Sequence, residues 1–335
     1  MHFQLPINLP AFPEKIRYTD RMLLIGSCFT EHIGDYLAQL KFPVLCNPHG
    51  ILFDPLSVGS SLVSYTRPFS IENYPLVYFQ ELYHSWQHHS RFSQLRAEDA
   101  LELIRTSHVK AQEQLRKAKW LVITLGSSFS YQLSALASEA GMGARGLPVA
   151  NCHRAPAQWF QKVLLTAEDI LNHLRASIQE VRQYNPELQL LLTISPVRHI
   201  RDGVIENNRS KARLIEAVHQ LVAEGPRIYY FPAYELVIDV LRDYRFYDLD
   251  LVHPNFSATQ YVLQQFTEHC FSADTRLLME QVQELVTARK HRPLQPQTQA
   301  HRQFLQQQYQ KATVLQQAHS FLDLKEELVY FQSLG

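Results

Sequence analysis

No stretch of this chain is apolar over the ~20 residues a membrane-spanning helix requires, so no membrane segment is expected. Cysteine is scarce. Cys28, Cys46, Cys152 and Cys270 are far apart and no two form a CxxC pair. That argues against a disulfide scaffold and for free thiols in a reducing compartment. Neither sign of charge dominates, since Lys plus Arg and Asp plus Glu each number 32. A nucleic-acid or anionic-membrane partner is therefore not expected. Met1 to Pro6 carry no basic segment leading into an apolar run, so no signal peptide is expected and the location is read as cytoplasmic. HExxH and GxSxG are both absent, which leaves a zincin site and an α/β-hydrolase elbow unsupported.

What is present is material for a large core. Apolar residues make up 46 % and charged residues 19 % of 335, which fits one large domain with an appendage, or two domains. Residues 1–20, with Pro6, Pro10 and Pro13, read as an extended lead-in. Met22-Leu23-Leu24-Ile25-Gly26 then reads as a short buried strand. After it, Phe29, Ile33, Tyr36, Leu37 and Leu40 recur at helical spacing. Further strands are expected at 42–46, 120–125, 188–194 and 227–231. Helices are expected at 55–65, 97–118, 166–183, 210–223, 233–242 and from a Ser257 cap to 271. This alternation predicts an α/β fold, a parallel sheet with helices on both faces, whose sites lie at the carboxyl ends of the strands. Residues 66–95 read as an ordered aromatic excursion and 131–155 as largely loop. Beyond 272 glutamines multiply, and two helices around a Pro293/Pro296 linker are expected. The division is thus a domain at 1–271 and a helical extension at 272–335. The extension would pack on the domain or on a second subunit, which would make a homo-oligomer.

The chemistry centres on the Gly26-Ser27 turn. A serine at the carboxyl end of a strand and the mouth of a helix can attack a carbonyl, and the nearby N–H groups favour the oxyanion that forms. The bland alternative is that Ser27 caps its helix. Asp250-x-x-His253 supplies the second anchor: a carboxylate three residues before an imidazole fixes its tautomer and leaves the other nitrogen to take a proton. The bland alternative there is a pair that holds a loop together. Cys28 reads as a buried thiol facing away from the site. His84 and His88 have HxxxH spacing, with His89 and His153 nearby, but that spacing ligates metal only on a helix and the stretch reads as irregular. No metal and no cofactor are expected. Arg198 and His199 are candidates for an anionic or hydroxylated substrate, or for a structural pairing. Trp86 stacks on a sugar ring or covers the core.

The motifs also resemble a known family. Gly26-Ser27-Cys28-Phe29, with Thr30 next, opens the pattern that names the GSCFA-domain proteins. It continues through Asn47-Pro48-x-Gly50, Thr124-Leu125-Gly126, Asn151-Cys152-His153, Ser195-Pro196-Val197-Arg198-His199, Ser210-Lys211 and Asp243-Tyr244-Arg245-Phe246-Tyr247, and ends at Asp250-x-x-His253-Pro254. That family resembles a branch of the SGNH (GDSL-like) hydrolases. The resemblance implies a three-layer, flavodoxin-like fold, Ser27 as nucleophile, His253 as general base and Asp250 as its orienter. It implies the Ser27 N–H and Gly50 as oxyanion donors. The Asn expected after the third strand is replaced by Gly126-Ser127-Ser128, so Asn151 or Ser127 is left as third donor. Arg198, His199, His153 and Trp86 are the candidate substrate contacts. The expected activity is a serine esterase acting on a small-molecule or carbohydrate acyl ester, with O-acetyl groups as the suggested case. An acyltransferase with the same triad and a non-catalytic binding protein on a hydrolase fold are the alternatives.

Overall fold

The computed structural model describes residues 6–9 and 12–333. Met1 to Leu5 and Pro10, read above as part of the lead-in, lie outside the described residues. The chain enters at β1 (Met22–Gly26), turns into α1 (Cys28–Gln39), and forms β2 (Val44–Cys46) and α2 (Pro55–Ser64). A hairpin of β3 (Val77–Phe79) and β4 (Leu82–His84) precedes α3 (Ala97–Lys117) and β5 (Trp120–Leu125). Then come β6 (Phe129–Leu133), α4 (Ala135–Glu139), β7 (Pro148–Val149), β8 (Phe160–Leu164), α5 (Ala167–Tyr184) and β9 (Gln189–Ile194). The rest runs α6 (Gly203–Glu224), β10 (Ile228–Phe231), α7 (Ala233–Glu235) with a π-helical continuation at Leu236–Leu241, α8 (Phe256–Cys270), α9 (Ala273–Lys290), α10 (Gln299–Ala318) and α11 (Lys325–Ser333).

The central sheet is parallel, in the order β10-β9-β5-β1-β2. Reading its strands in chain order gives the flavodoxin-like sequence 2-1-3-4-5, with the switch point between β1 and β5. Successive strand residues point to opposite faces, so each strand feeds two cores. Met22, Leu24 and Val122 pack against α1, α8 and the C-terminal helices. Leu23, Ile25, Leu121 and Ile123 pack against α2, α3, α5 and α6. All three layers expected from the sequence are present.

Several local expectations are corrected. The stretch read as loop at 131–155 begins in β6, which pairs antiparallel with β7 and β8 in a small second sheet. Helix α6 starts at Gly203, seven residues earlier than the apolar spacing suggested. Asn255, not Ser257, caps α8, its side chain accepting from the Ala258 N–H at 3.1 Å. Among the described residues three helices, not two, follow residue 272. They are not peripheral: Val282, Leu305, Leu324 and Phe331 belong to the same buried cluster as β1 and α1. The α11 carboxylate Glu327 is fully buried, 3.1 Å from Lys41 Nζ and 3.4 Å from Arg289 Nε. No helix among the described residues is long and apolar enough to cross a membrane.

Candidate active site

The β1–α1 turn is built for close packing. Gly26 has φ +144°, and a Cβ there would lie 2.1 Å from Thr124 O, so only glycine fits. The Gly26 N–H donates to Asn47 Oδ1 at 2.9 Å, and its carbonyl accepts from the Leu52 N–H at 3.0 Å. The Ser27 N–H donates to Thr124 O at 3.1 Å. The turn is thereby clamped between β5 and the loop after β2. Ser27 occupies the N-cap of α1, yet its side chain makes no capping bond. Its Oγ is buried, with the residue 1 % exposed, and has no hydrogen-bond partner among the described residues. An orphaned buried hydroxyl costs about 1–3 kcal/mol and calls for a reason. Capping is not that reason.

The Asp250–His253 pair stands on the loop that enters α8. Asp250 Oδ1 accepts from the Val252 and His253 N–H groups at 2.9 and 3.0 Å, which fixes the loop. Asp250 Oδ2 accepts from His253 Nδ1 at 2.6 Å, which fixes the ring and, in the neutral imidazole, makes Nε2 the acceptor nitrogen. These bonds hold the Asp250 carboxyl down to about 2. Both side chains are about half exposed. The loop is tied to the end of β9: the Arg198 N–H donates to Val252 O at 3.3 Å, and the Arg198 guanidinium lies over the Tyr247 ring at 4.2 Å. Because the Ser27 hydroxyl has no partner, the serine–histidine bond expected from the sequence is not made in this structure.

The remaining sequence candidates are redistributed. Ser27 and Gly50 do not offer free N–H groups, since Ser27 is bonded to Thr124 O and Gly50 donates to Asn47 O at 2.8 Å. Ser127 Oγ accepts from the Phe129 N–H at 3.0 Å. Asn151 Oδ1 accepts from the His153 N–H at 2.9 Å. Trp86 is no stacking platform: it is 2 % exposed, packs in a satellite core, and donates its indole N–H to Met142 O. His153 is buried too, with Nε2 donating to Ser85 O and Nδ1 accepting from Ser90 Oγ. His84 engages both ring nitrogens, with Ser93 Oγ and Phe79 O. His199 Nε2 donates to Gly126 O at 2.7 Å, and burial together with the Lys211 charge pushes it down to about 4.

Sequence reasoning missed Lys211 as an element of the site. It lies on α6, is 1 % exposed, and spans the carboxyl ends of β5 and β9. Its Nζ donates to Gly126 O at 2.7 Å and to Ser195 O at 2.6 Å. Burial pushes its amine down to about 7. The signal was there: Asn207, Ser210, Lys211, Leu214, Ala217, Val218 and Leu221 keep one helical stripe, all buried. The peptide that Lys211 grips touches the first turn, because a Cβ at Gly126 would sit 3.4 Å from Ser27 Cβ.

Fold and site together define a three-layer parallel α/β protein with an oriented Asp–His pair and a clamped strand–helix turn at its carboxyl edge. The chain belongs to the GSCFA family, which it matches over residues 21–266, and it matches the GSCFA domain protein, C-terminal domain, over residues 282–334. No curated protein matches it. Among solved structures it is similar to a carbohydrate esterase family 3 from Talaromyces cellulolyticus, at 9 % identity and a TM-score of 0.36, over 79 % of this chain and 99 % of that one.

Proposed function

We propose that this chain is a hydrolase of acyl esters in which Asp250 and His253 form the acid–base pair and the nucleophile stands on the β1–α1 turn. One observation carries the reading. Asp250 Oδ1 already ties the loop through two backbone N–H groups, so the 2.6 Å bond from Oδ2 to His253 Nδ1 is not needed to hold it. What that bond does is set the tautomer, with an exposed Nε2 lone pair able to take a nucleophile's proton and return it to the leaving alcohol. The GSCFA membership and the resemblance to SGNH hydrolases support the same roles. The turn presents two nucleophilic atoms, Ser27 Oγ and Cys28 Sγ. The proton-transfer bond between that turn and His253 is one that forms with substrate, since catalytic hydrogen bonds often tighten only then. With Trp86 buried, no aromatic platform argues for a particular sugar, and the substrate is written as an acyl ester of a polar alcohol. The test is a panel of p-nitrophenyl and sugar acyl esters. His253→Ala should lower turnover by about 10²–10⁴-fold. Equal rates for the variant and the wild type would refute the acid–base assignment.

A further inference from the structure

We propose that Arg198, seated on the Tyr247 ring, is the specificity-determining residue of the site and recognises an anionic group carried by the ester substrate. The inference rests on the hydrolase reading above and names the class of ester. Placement comes first. Arg198 follows the carboxyl end of β9, and its backbone N–H donates at 3.3 Å to the carbonyl of Val252, the residue before His253. Tyr247 bridges to Pro254, the residue after His253, and the Asp248 N–H donates to His253 O at 2.8 Å. Arg198 and its ring platform therefore belong to the knot of backbone that holds the dyad.

The guanidinium itself is unspent. It is half-buried, and lies 4.2 Å from the Tyr247 ring centroid and 5.3 Å from that of Tyr244. Among the described residues it donates to no acceptor and pairs with no carboxylate. Three carboxylates of the flanking loops have other partners: Asp243 pairs with Arg245 at 3.2 Å, Asp250 with His253, and Asp202 with Lys162. Arg182 and Arg213, also half-buried, each spend their guanidinium on two backbone carbonyls. A cation withdrawn from water is ordinarily paired. The guanidinium carries five N–H donors in a planar fork that fits a carboxylate or a phosphate. The tyrosine faces hold it in place and use none of those donors.

A second group points the same way. Tyr247 is 7 % exposed, and its hydroxyl is buried with no hydrogen-bond partner among the described residues. Its ring packs in the core that includes α8, a place phenylalanine would fill without the cost of an orphaned hydroxyl. The unspent fork and the orphaned O–H donor meet at one ring, and an anion is the partner both lack. His199 does not share the role, since its Nε2 donates to Gly126 O at 2.7 Å. A purely structural task, pinning the dyad loop to β9, is already done by the Arg198 backbone N–H and needs no charge.

The test gives the full chain esters matched in shape and differing in charge. Mono-p-nitrophenyl succinate against p-nitrophenyl butyrate puts the anion on the acyl side. 4-Acetoxybenzoate against phenyl acetate puts it on the alcohol side. In one pair kcat/KM should favour the anionic ester by at least about tenfold, expressed in KM. Arg198→Gln should abolish that preference. Arg198→Lys should keep only part of it, since an ammonium retains the charge and loses the fork; circular dichroism checks that both variants fold. Calorimetric titration with succinate and with inorganic phosphate should show binding to the wild type that Arg198→Gln loses. Equal kcat/KM within both pairs for the wild type overturns the proposal without any variant and leaves the hydrolase reading standing. A preference that Arg198→Gln retains overturns it as well. Anion binding that requires Arg198, with no turnover of any ester, supports the subsite and overturns the hydrolase reading. Neither turnover nor anion binding overturns both.

Discussion

Acidification should unfold this protein through a group of buried histidines that fold around the hairpin and the loop after β2. His49 and His88 stack with centroids 4.1 Å apart, and His49 pairs with the Tyr65 hydroxyl. His153 donates to Ser85 O and pairs with Ser90 Oγ, so both of its ring nitrogens are engaged. Burial pushes His49 down to about 3 and His153 to about 4, and His88 well below its ordinary range, with neighbouring histidines and Arg91 adding to the effect. The folded state therefore holds these rings neutral while the unfolded chain protonates them near 6.5. Their contribution is fully present above that value and is lost as pH falls toward the folded pKa. Between pH 7 and pH 5, His49 and His153 each remove about 2 kcal/mol, and the limiting slope is about 1.4 kcal/mol per pH unit per proton. His88 acts in the same direction. A loss of at least about 4 kcal/mol is a large share of the 5–15 kcal/mol typical of a native protein. Urea denaturation followed by circular dichroism at pH 7, 6, 5.5 and 5 measures it directly. The midpoint should fall steadily, and His49→Gln or His153→Gln should each flatten the slope by about one proton. An unfolding free energy that changes by less than about 1 kcal/mol over this range would refute the reasoning.

Asp250→Asn replaces the Oδ2 acceptor of His253 Nδ1. Turnover should drop by about 10²–10⁴-fold while the melting temperature, read by differential scanning fluorimetry, stays close to wild type. Gly26→Ala forces a Cβ to 2.1 Å from Thr124 O and should cost about 3 kcal/mol or more by chemical denaturation; wild-type stability would mean that the turn is not clamped. Glu327→Ala removes the buried partner of Lys41 and Arg289, which keep Glu326 at 3.3 and 2.6 Å, and should destabilise by about 1–3 kcal/mol, with wild-type stability counting against a structural role for Glu327.

Much of the fold was legible because the strands of a parallel sheet are buried on both faces, and Leu121 to Leu125 or Leu190 to Ile194 cannot be mistaken for surface. The second sheet escaped because β6 and β8 are half exposed, and their mixed composition looks like loop. Seven residues of α6 escaped because Gly203 to Arg209 are mostly polar and exposed. In the site, the Asp250–His253 pair is local and its spacing announces it. The oxyanion donors are not local: whether the Ser27 N–H is free depends on the register of β1 against β5, which brings Thr124 O to it. Trp86 looked like a ligand platform because the sequence shows that aromatics abound, but not that they pack on each other, as Trp86 does face-on with Phe79 and edge-on with Phe160.

The burial of Phe331 and Leu324 among the residues of β1 and α1 bears on how the chain is made. Residues of β1 and α1 thus share one buried cluster with a helix far along the chain. At synthesis rates of ~5–20 residues per second, that cluster waits on the order of tens of seconds to be completed. Over that interval Met22, Leu24 and Phe29 have only the earlier helices to shield them, and the nascent chain is expected to lean on a chaperone until α11 arrives. Truncation before Lys325 therefore removes more than a tail. It leaves the cluster that β1 and α1 share with Leu324 and Phe331 incomplete and open to other chains.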